Sequence, residues 1–384
     1  MLIAESFFMR IGGNEYNRME FAGAFGDLGT FIPFVAAYIT LNKIDPLGIF
    51  VSFGIFKIFV GLYFKTPMPV QPMKAIGGMA IAHPETITQG MIWGAGIFTA
   101  FFWLVMGFTG AVSWLHKITS KPIIRGIMLG LGLSFMMEGI GMMKGQLAVS
   151  IIALAMTFFL FSREKIPAML ILLAFGIGVA IISNPSLFSE ITQISARLRI
   201  PEISLGKISW QDLIAGTLIL GLPQAPLTLG NAIIGTAEEN NELFPGRPVK
   251  VKTIAVDHGF MNILSATIGG IPLCHGAGGM AGHVRFGART GGALVILGCI
   301  VLIIGLFFSD SVSTIFKIFP PSILGVILFF TGLELASITR DIGNQRSDVY
   351  IMLVTAGLAT WNMGVAYLAG LILSLAVEKR ILKF

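Results

Sequence analysis

The sequence predicts an all-α polytopic membrane protein of about fourteen transmembrane segments in two inverted seven-segment repeats, with half-helices at segments three and ten. Three observations carry this. The 384-residue chain is 55% hydrophobic and only 12% charged, with a mean hydropathy of +0.84, whereas soluble domains hold roughly 25% charged residues. Apolar runs long enough for roughly 30 Å of hydrocarbon recur from Phe21 to the C-terminus. Finally, two Pro-broken stretches about 200 residues apart, 67–80 (PMPVQPMKAIGGMA) and 271–282 (IPLCHGAGGMAG), share a Gly-Gly-Met-Ala sequence.

Residues 1–20 carry Glu5, Arg10, Glu15, Arg18 and Glu20 without a continuous apolar core. They read as a cytoplasmic amphipathic lead-in rather than a signal peptide. The first repeat then spans 21–183. Residues 184–209, with Pro185 and Pro201, read as an external linker holding a short amphipathic helix near 189–198. The second repeat spans 210–384. The duplication shows in VSWLHKI at 112–118 against VSTIFKI at 312–318, each followed by Pro and a Gly-bearing apolar helix (Pro122 and Gly126; Pro321 and Gly325). Seven spans is an odd number, so the second half must be inverted relative to the first.

The formal charge of +6 invites a nucleic-acid reading, but the basic residues are scattered among loops. With a cytoplasmic N-terminus, only Lys43, Lys144, Arg197, Arg199, Lys207 and Lys317 fall outside, and Lys57, Lys74 and Arg125 fall within spans. The rest of the 26 Lys and Arg, Arg163, Lys165 and Lys383 among them, lie inside. No nucleic-acid partner is expected. Cys274 and Cys299, the two cysteines, make no disulfide framework and no metal finger.

A helix broken within the bilayer exposes unpaired backbone groups and persists only where protein or a polar cavity surrounds it. Half-helices starting near Pro72 and Leu273 would each present free N–H groups and about half a positive charge. Aligning Gly77 and Gly78 with Gly278 and Gly279 sets Lys74 opposite His275. A lysine in a first helical turn opposes the dipole and is costly at membrane depth; a bound anion relieves both costs. The two tips plus Lys74 offer roughly +2, suited to a tetrahedral dianion. The competing readings are a snorkelling Lys74 or its ion pair with Asp27, and a neutral hydrogen-bonded His275 without a ligand role.

Other in-span polar residues fall at corresponding places in the two halves. The segment 26–34 (GDLGTFIPF) sets Asp27 and Thr30 one turn apart, and 221–231 (GLPQAPLTLGN) carries Gln224, Thr228 and Asn231. Asp27 is the candidate proton carrier, with a fixed structural carboxylate as the alternative. Glu138 and Glu334 read as interfacial, and Arg285 and Arg289 as inner-surface anchors. The glycine-rich 276–282 lacks the Lys-Ser/Thr ending of a phosphate loop. Cys274, His258, His275 and His283 lack ligand spacing with a nearby carboxylate, so no metal and no cofactor is expected.

The segments 26–34, 67–76, 223–229 with Asn231, and 274–282 followed by 285–289 (RFGAR) resemble the signature segments of the molybdate transporter family, a branch related to the sulfate permeases. The resemblance runs from about Phe21 to Lys379. It implies a core domain (segments one to four and eight to eleven) rocking against a gate domain, and carriage of molybdate or a related anion. The chain ends shortly after its last apolar run, so the cytoplasmic regulatory domain of typical sulfate permeases is expected to be absent.

The resulting expectation is a multi-pass cell-membrane transporter, not an enzyme, that moves a tetrahedral oxyanion by alternating access with proton coupling. Molybdate comes first, and sulfate is the alternative. A uracil- or bicarbonate-type transporter or an anion channel of the same fold also stays open, as does a homodimer. The expected binding residues are Gln71, Met73, Lys74, Ala75, Cys274, His275, Gly276 and Ala277, lined by Thr30, Gln224, Thr228 and Asn231, with Asp27 as proton carrier.

Overall fold

The computed structural model describes residues 9–161 and 168–382; Glu5, Arg163, Lys165 and Lys383 fall outside the described residues. The described part of the N-terminal lead-in forms a hairpin of β1 (Met9–Ile11) and β2 (Asn14–Tyr16). Gly12 and Gly13, at φ 61° and 91°, make its turn. Asn14 anchors it by donating to the Gly61 carbonyl at 2.9 Å. Asn17 then caps the N–H groups of Met19 and Glu20 and starts α1 (Arg18–Ala24), so helix begins before Phe21.

A 42° bend separates α1 from α2 (Leu28–Thr40). Gly26 sits at the bend, where an added Cβ would lie 2.4 Å from the Gly282 carbonyl oxygen, and the reverse substitution meets Gly26 at the same distance. Glycine at both positions lets the two broken regions touch. Asp45 caps α3 (Pro46–Phe64), with Pro46 in its first turn. The first break follows as β3 (Gln71–Pro72) and α4 (Lys74–Ala82). Thr88 caps α5 (Gln89–Phe108), and the short α6 (Ala111–Ile118) leads into α7 (Lys121–Met143), α8 (Leu147–Phe161) and α9 (Ala168–Ser183). In the linker the helix is α10 (Ser186–Thr192), earlier than the expected 189–198, and it turns 111° from α9.

The second half opens with a Ser209–Asp212 capping box on α11 (Trp210–Leu243). This helix widens into π-turns at Gly216–Gly221 and Thr228–Gly235, flanking the two prolines Pro223 and Pro226. Next come α12 (Val251–Thr267), the second break as β4 (Leu273–Cys274) and α13 (Ala277–Arg285), then α14 (Gly292–Phe308) and α15 (Val312–Phe316). The chain closes with α16 (Pro321–Ser337), α17 (Arg346–Trp361) and α18 (Met363–Glu378).

Among the described residues, six helices are long and apolar enough to cross a membrane, and eight if each bent pair is one span. This falls short of fourteen because α4 and α13 are half-length, α12, α17 and α18 have 17 residues or fewer, and α7 and α8 run on as one continuous helix, Lys121–Leu160. The strongest packing pairs are α7 on α16, α3 on α14 and α5 on α12. Gly132 and Gly332 face each other where α7 meets α16; an added Cβ on either would come within 2.7 Å of the other's carbonyl oxygen. Large apolar side chains such as Phe101, Phe159, Leu353 and Ile372 remain exposed on the outer surface, as hydrocarbon permits.

Charged residues gather into separate clusters. Arg199 of the linker binds Asp45 at 2.5 Å and Asp310 at 2.9 Å, and Lys317 binds Glu190 at 2.7 Å. The hydrogen bond to Asp45 holds the Arg199 guanidinium above its ordinary range. In another cluster, Arg125 joins Asp341 at 2.7 Å and Glu242 at 2.5 Å, His116 meets Glu238 at 2.7 Å, and Arg285 meets Glu334 at 3.3 Å.

Candidate functional site

The two broken stretches meet. Gln71 pairs with Cys274 and Pro72 with Leu273 in a short antiparallel bridge, and the Met73 N–H donates to the Pro272 carbonyl at 2.9 Å. Prolines at 67, 69, 72 and 272 keep both stretches out of helix until each has crossed the other. Asn262 of α12 clamps the second stretch, donating to the Leu273 carbonyl at 2.8 Å and accepting the Leu273 N–H at 2.9 Å. From this crossing α4 and α13 depart, each presenting its N-terminus there.

Gln224 of α11 occupies the tip of α4. Its Oε1 accepts the Ala75 N–H at 2.8 Å and the Ile76 N–H at 3.3 Å, while its amide donates to Thr228 at 2.9 Å. A neutral side-chain oxygen therefore holds the place an oxyanion oxygen would take at a helix N-terminus. Near the tip of α13, Gln71 donates to Thr30 at 2.8 Å, and Thr30 in turn donates to the Asp27 carbonyl at 2.9 Å. A Cβ on Gly276 would lie 2.8 Å from Gln71 Oε1 and 3.6 Å from Asn231 Nδ2, so only glycine leaves this polar corner open. Asn231 Oδ1 is buried there without a hydrogen-bond partner.

Lys74 opens α4, and its Nζ is buried with no hydrogen-bond partner. It rests 3.7 Å from the centroid of the Phe135 ring, which comes from α7 and also covers Gly278. The ring supplies a weak electrostatic contact, on the order of 1–2 kcal/mol when desolvated. That is well short of what a buried ammonium loses by leaving water.

The remaining expected residues are placed differently. Met73 is fully buried in the core, Ala277 is buried, and the Cys274 thiol points to the Pro72 carbonyl at 3.6 Å. Lys74 does not pair with Asp27. The carboxylate of Asp27 binds Lys57 at 3.0 Å, and Lys57 also donates to the Val70 carbonyl at 2.9 Å. Asp27 thus has a fixed counter-ion, and protonating it would strand Lys57. His275 does not reach into the space between the tips. Its Nδ1 lies 2.7 Å from the Pro69 carbonyl oxygen and its Nε2 lies 2.7 Å from Asp257, so both ring nitrogens are engaged elsewhere. This corrects the expectation that its side chain completes the cage.

Sequence reasoning missed Lys57, Phe135, Asp257 and His283 as partners in this region. It also missed Glu239, which is fully buried with neither carboxylate oxygen hydrogen-bonded. A signal for one of them was available: a lysine such as Lys57 in the middle of an apolar span requires a buried acid, and Asp27 was at hand. Phe135 gave none, because an aromatic in an apolar helix is ordinary packing material.

The sequence profile of a family described as molybdate transporter of the MFS superfamily matches residues 19–135 and 216–335. Molybdate transporter 2 of Arabidopsis thaliana is 33% identical, over 94% of this chain and 88% of its own. Molybdate transporter 1 of Chlamydomonas reinhardtii is 27% identical, over 92% and 90%. Among solved structures, the transmembrane domain of the cyanobacterial bicarbonate transporter BicA aligns with a TM-score of 0.55 at 14% identity, covering 92% of this chain and 96% of that one. The murine Solute Carrier 26 family member A9 anion transporter, inward-facing, aligns with a TM-score of 0.63 at 13% identity, covering 96% and 69%. The structural likenesses show a shared helical membrane fold.

Proposed function

Because the chain belongs to the molybdate transporter family, we propose that it carries a tetrahedral oxyanion, molybdate first, by proton-coupled alternating access between the tips of α4 and α13. It is a multi-pass membrane anion transporter and not an enzyme. The observation that carries the substrate class is Lys74 Nζ, buried and without a hydrogen-bond partner in the first turn of a half-helix. An unpaired ammonium at the positive end of a helix is unfavourable unless a negative solute visits it. A dianion there would replace Gln224 Oε1 on the Ala75 and Ile76 N–H groups and draw Lys74 off the Phe135 ring. Gln71, Thr30, Thr228 and Asn231 supply the surrounding polar groups, and Gly276 and Ala277 supply backbone.

The architecture we propose is fourteen segments in two inverted repeats, 21–183 and 210–384, joined by the linker 184–209. Its support is the packing pattern, since exchanging the two halves maps the α3–α14 pair onto α12–α5 and returns α7–α16 to itself. The excess of Lys and Arg in alternate loops supports a cytoplasmic N-terminus and C-terminus. The test is uptake of labelled molybdate by proteoliposomes in competition with tungstate, sulfate, bicarbonate and uracil. Tungstate and unlabelled molybdate should compete best; displacement by uracil or bicarbonate alone would overturn the oxyanion reading, and ohmic conductance without saturation would make the protein a channel.

The position of Gln224 yields a sharper expectation. Gln224→Glu places a carboxylate on the N–H groups of Ala75 and Ile76, an internal competitor for the dianion. Molybdate affinity should fall by about tenfold or more, given that like-charge juxtaposition costs several kcal/mol, with little change in thermal stability. Unchanged uptake affinity in that variant would remove the tip of α4 from the binding site.

A further inference from the structure

His275 is fully buried, and its Nδ1 stands 2.7 Å from the Pro69 carbonyl oxygen. A carbonyl oxygen only accepts, so Nδ1 carries a proton. Its Nε2 stands 2.7 Å from Asp257 Oδ2. That second contact also needs a proton, either on the imidazole or on the carboxyl group. The pair therefore holds one proton more than a neutral histidine beside a carboxylate.

We propose that His275 and Asp257 form a buried proton-binding site, and that its proton is the one that travels with the oxyanion. The inference rests on the coupled-transport reading above and replaces Asp27 as the carrier. The two neighbouring histidines show why the proton is held at this pair. His258 donates from Nδ1 to the Ile254 carbonyl at 3.0 Å and accepts the His275 N–H on Nε2 at 3.3 Å, which describes a neutral ring with both nitrogens satisfied. His283 donates from Nδ1 to the Gly23 carbonyl at 2.8 Å, and its Nε2 makes only a long contact to Asp27, at 3.5 Å and without a hydrogen bond. Asp27 already has Lys57, so that carboxylate needs no proton from His283.

The pair is built to exchange its proton with one side. Asp257 is 7% exposed and lies one helical turn from Thr253 on α12. Thr253 lines a surface cleft with Tyr63, Phe64, Arg247 and Lys250, and the Phe64 ring stands edge-on to His275 at 6.1 Å. Besides Asp257, the titratable ring against His275 is His258, at 4.8 Å. Arg247 and Lys250 are the cationic groups on the cleft. Release of the proton to water in that cleft leaves neutral His275, with its proton on Nδ1, beside an ionised Asp257.

Coupling follows from position. His275 immediately precedes Gly276, the N-cap of α13. With the proton bound the pair is neutral overall, and a dianion at the helix tip meets no opposing charge behind it. Once the proton leaves, the uncompensated Asp257 carboxylate repels the dianion. Proton and oxyanion are thus favoured together and released together.

The test uses the full chain in proteoliposomes with labelled molybdate outside and a trapped pH-sensitive dye. An inward proton gradient should drive molybdate accumulation with internal acidification in the wild-type protein. Asp257→Asn keeps a hydrogen bond to His275 Nε2 but cannot titrate. It should continue to exchange molybdate at equal pH while gradient-driven accumulation falls by about tenfold or more, the range of a typical coupling free energy. Asp257→Glu should restore accumulation. An Asp257→Asn protein that still accumulates molybdate on the gradient overturns the assignment and leaves coupled transport intact. Wild-type accumulation indifferent to the gradient overturns coupling itself, and this inference with it. Should Asp257→Asn fail to reconstitute, Asp257→Glu decides: exchange without coupling in that variant also sinks the assignment.

Discussion

Replacing Lys74 with methionine is expected to weaken molybdate binding by roughly tenfold to a hundredfold while leaving the empty protein at least as stable as wild type. The two halves of this result have one cause. The ammonium has no hydrogen-bond partner and rests on the Phe135 ring. Removing it relieves a desolvation cost of several kcal/mol per buried ion, which exceeds the cation–π contact that is lost. In the occupied site the same ammonium would bond an oxyanion, and hydrogen bonds to charged groups contribute about 1.5–3 kcal/mol. Equilibrium binding of labelled molybdate and thermal unfolding of the purified protein check both halves. Unchanged affinity would remove Lys74 from the site, and a large drop in melting temperature would make it a structural residue.

The second large effect is expected at Lys57 and Asp27, and it concerns stability. Both side chains are fully buried, 3.0 Å apart, with Lys57 also fixed by the Val70 carbonyl beside the first break. Either Lys57→Met or Asp27→Asn leaves one buried charge without its partner and should cost about 3–5 kcal/mol. The double variant, which removes both charges, should recover most of that loss. Thermal unfolding of the three variants in one detergent measures it as a double-mutant cycle. If Asp27→Asn melted like wild type yet no longer accumulated molybdate on a proton gradient, Asp27 would regain the carrier role proposed above for His275 and Asp257.

Much of this molecule was legible in its sequence. The membrane class followed from composition, and the paired breaks followed from the prolines clustered at 67, 69 and 72 and the proline at 272, which remove backbone N–H donors and interrupt helix there. Lys74 stood out because a lysine in a helix's first turn at membrane depth is costly on two counts. The hairpin at 9–16 was not legible. Its strands are three residues long, and it is held by contacts to the distant Gly61 and, through Glu15, to Thr290.

Side-chain direction separates the rest. The repeat alignment set His275 opposite Lys74, yet His275 is turned between Pro69 and Asp257, while Lys74 is turned onto Phe135. Both residues start a half-helix in the alignment, so the local pattern treats them alike. What distinguishes them is which neighbour lies within reach, and those neighbours come from elsewhere in the chain. Gln224 likewise meets Ala75 across 149 positions.

By itself, then, the sequence determined that this chain enters a membrane and where its helices must break. Such properties depend on each residue's own chemistry and near neighbours. Only the tertiary structure decided that Asp27 pairs with Lys57, that Gln224 caps α4, and that His275 meets Asp257. Hydrogen bonds and ion pairs act over about 3 Å, so residues far apart in the chain acquire partners only when folding brings them that close.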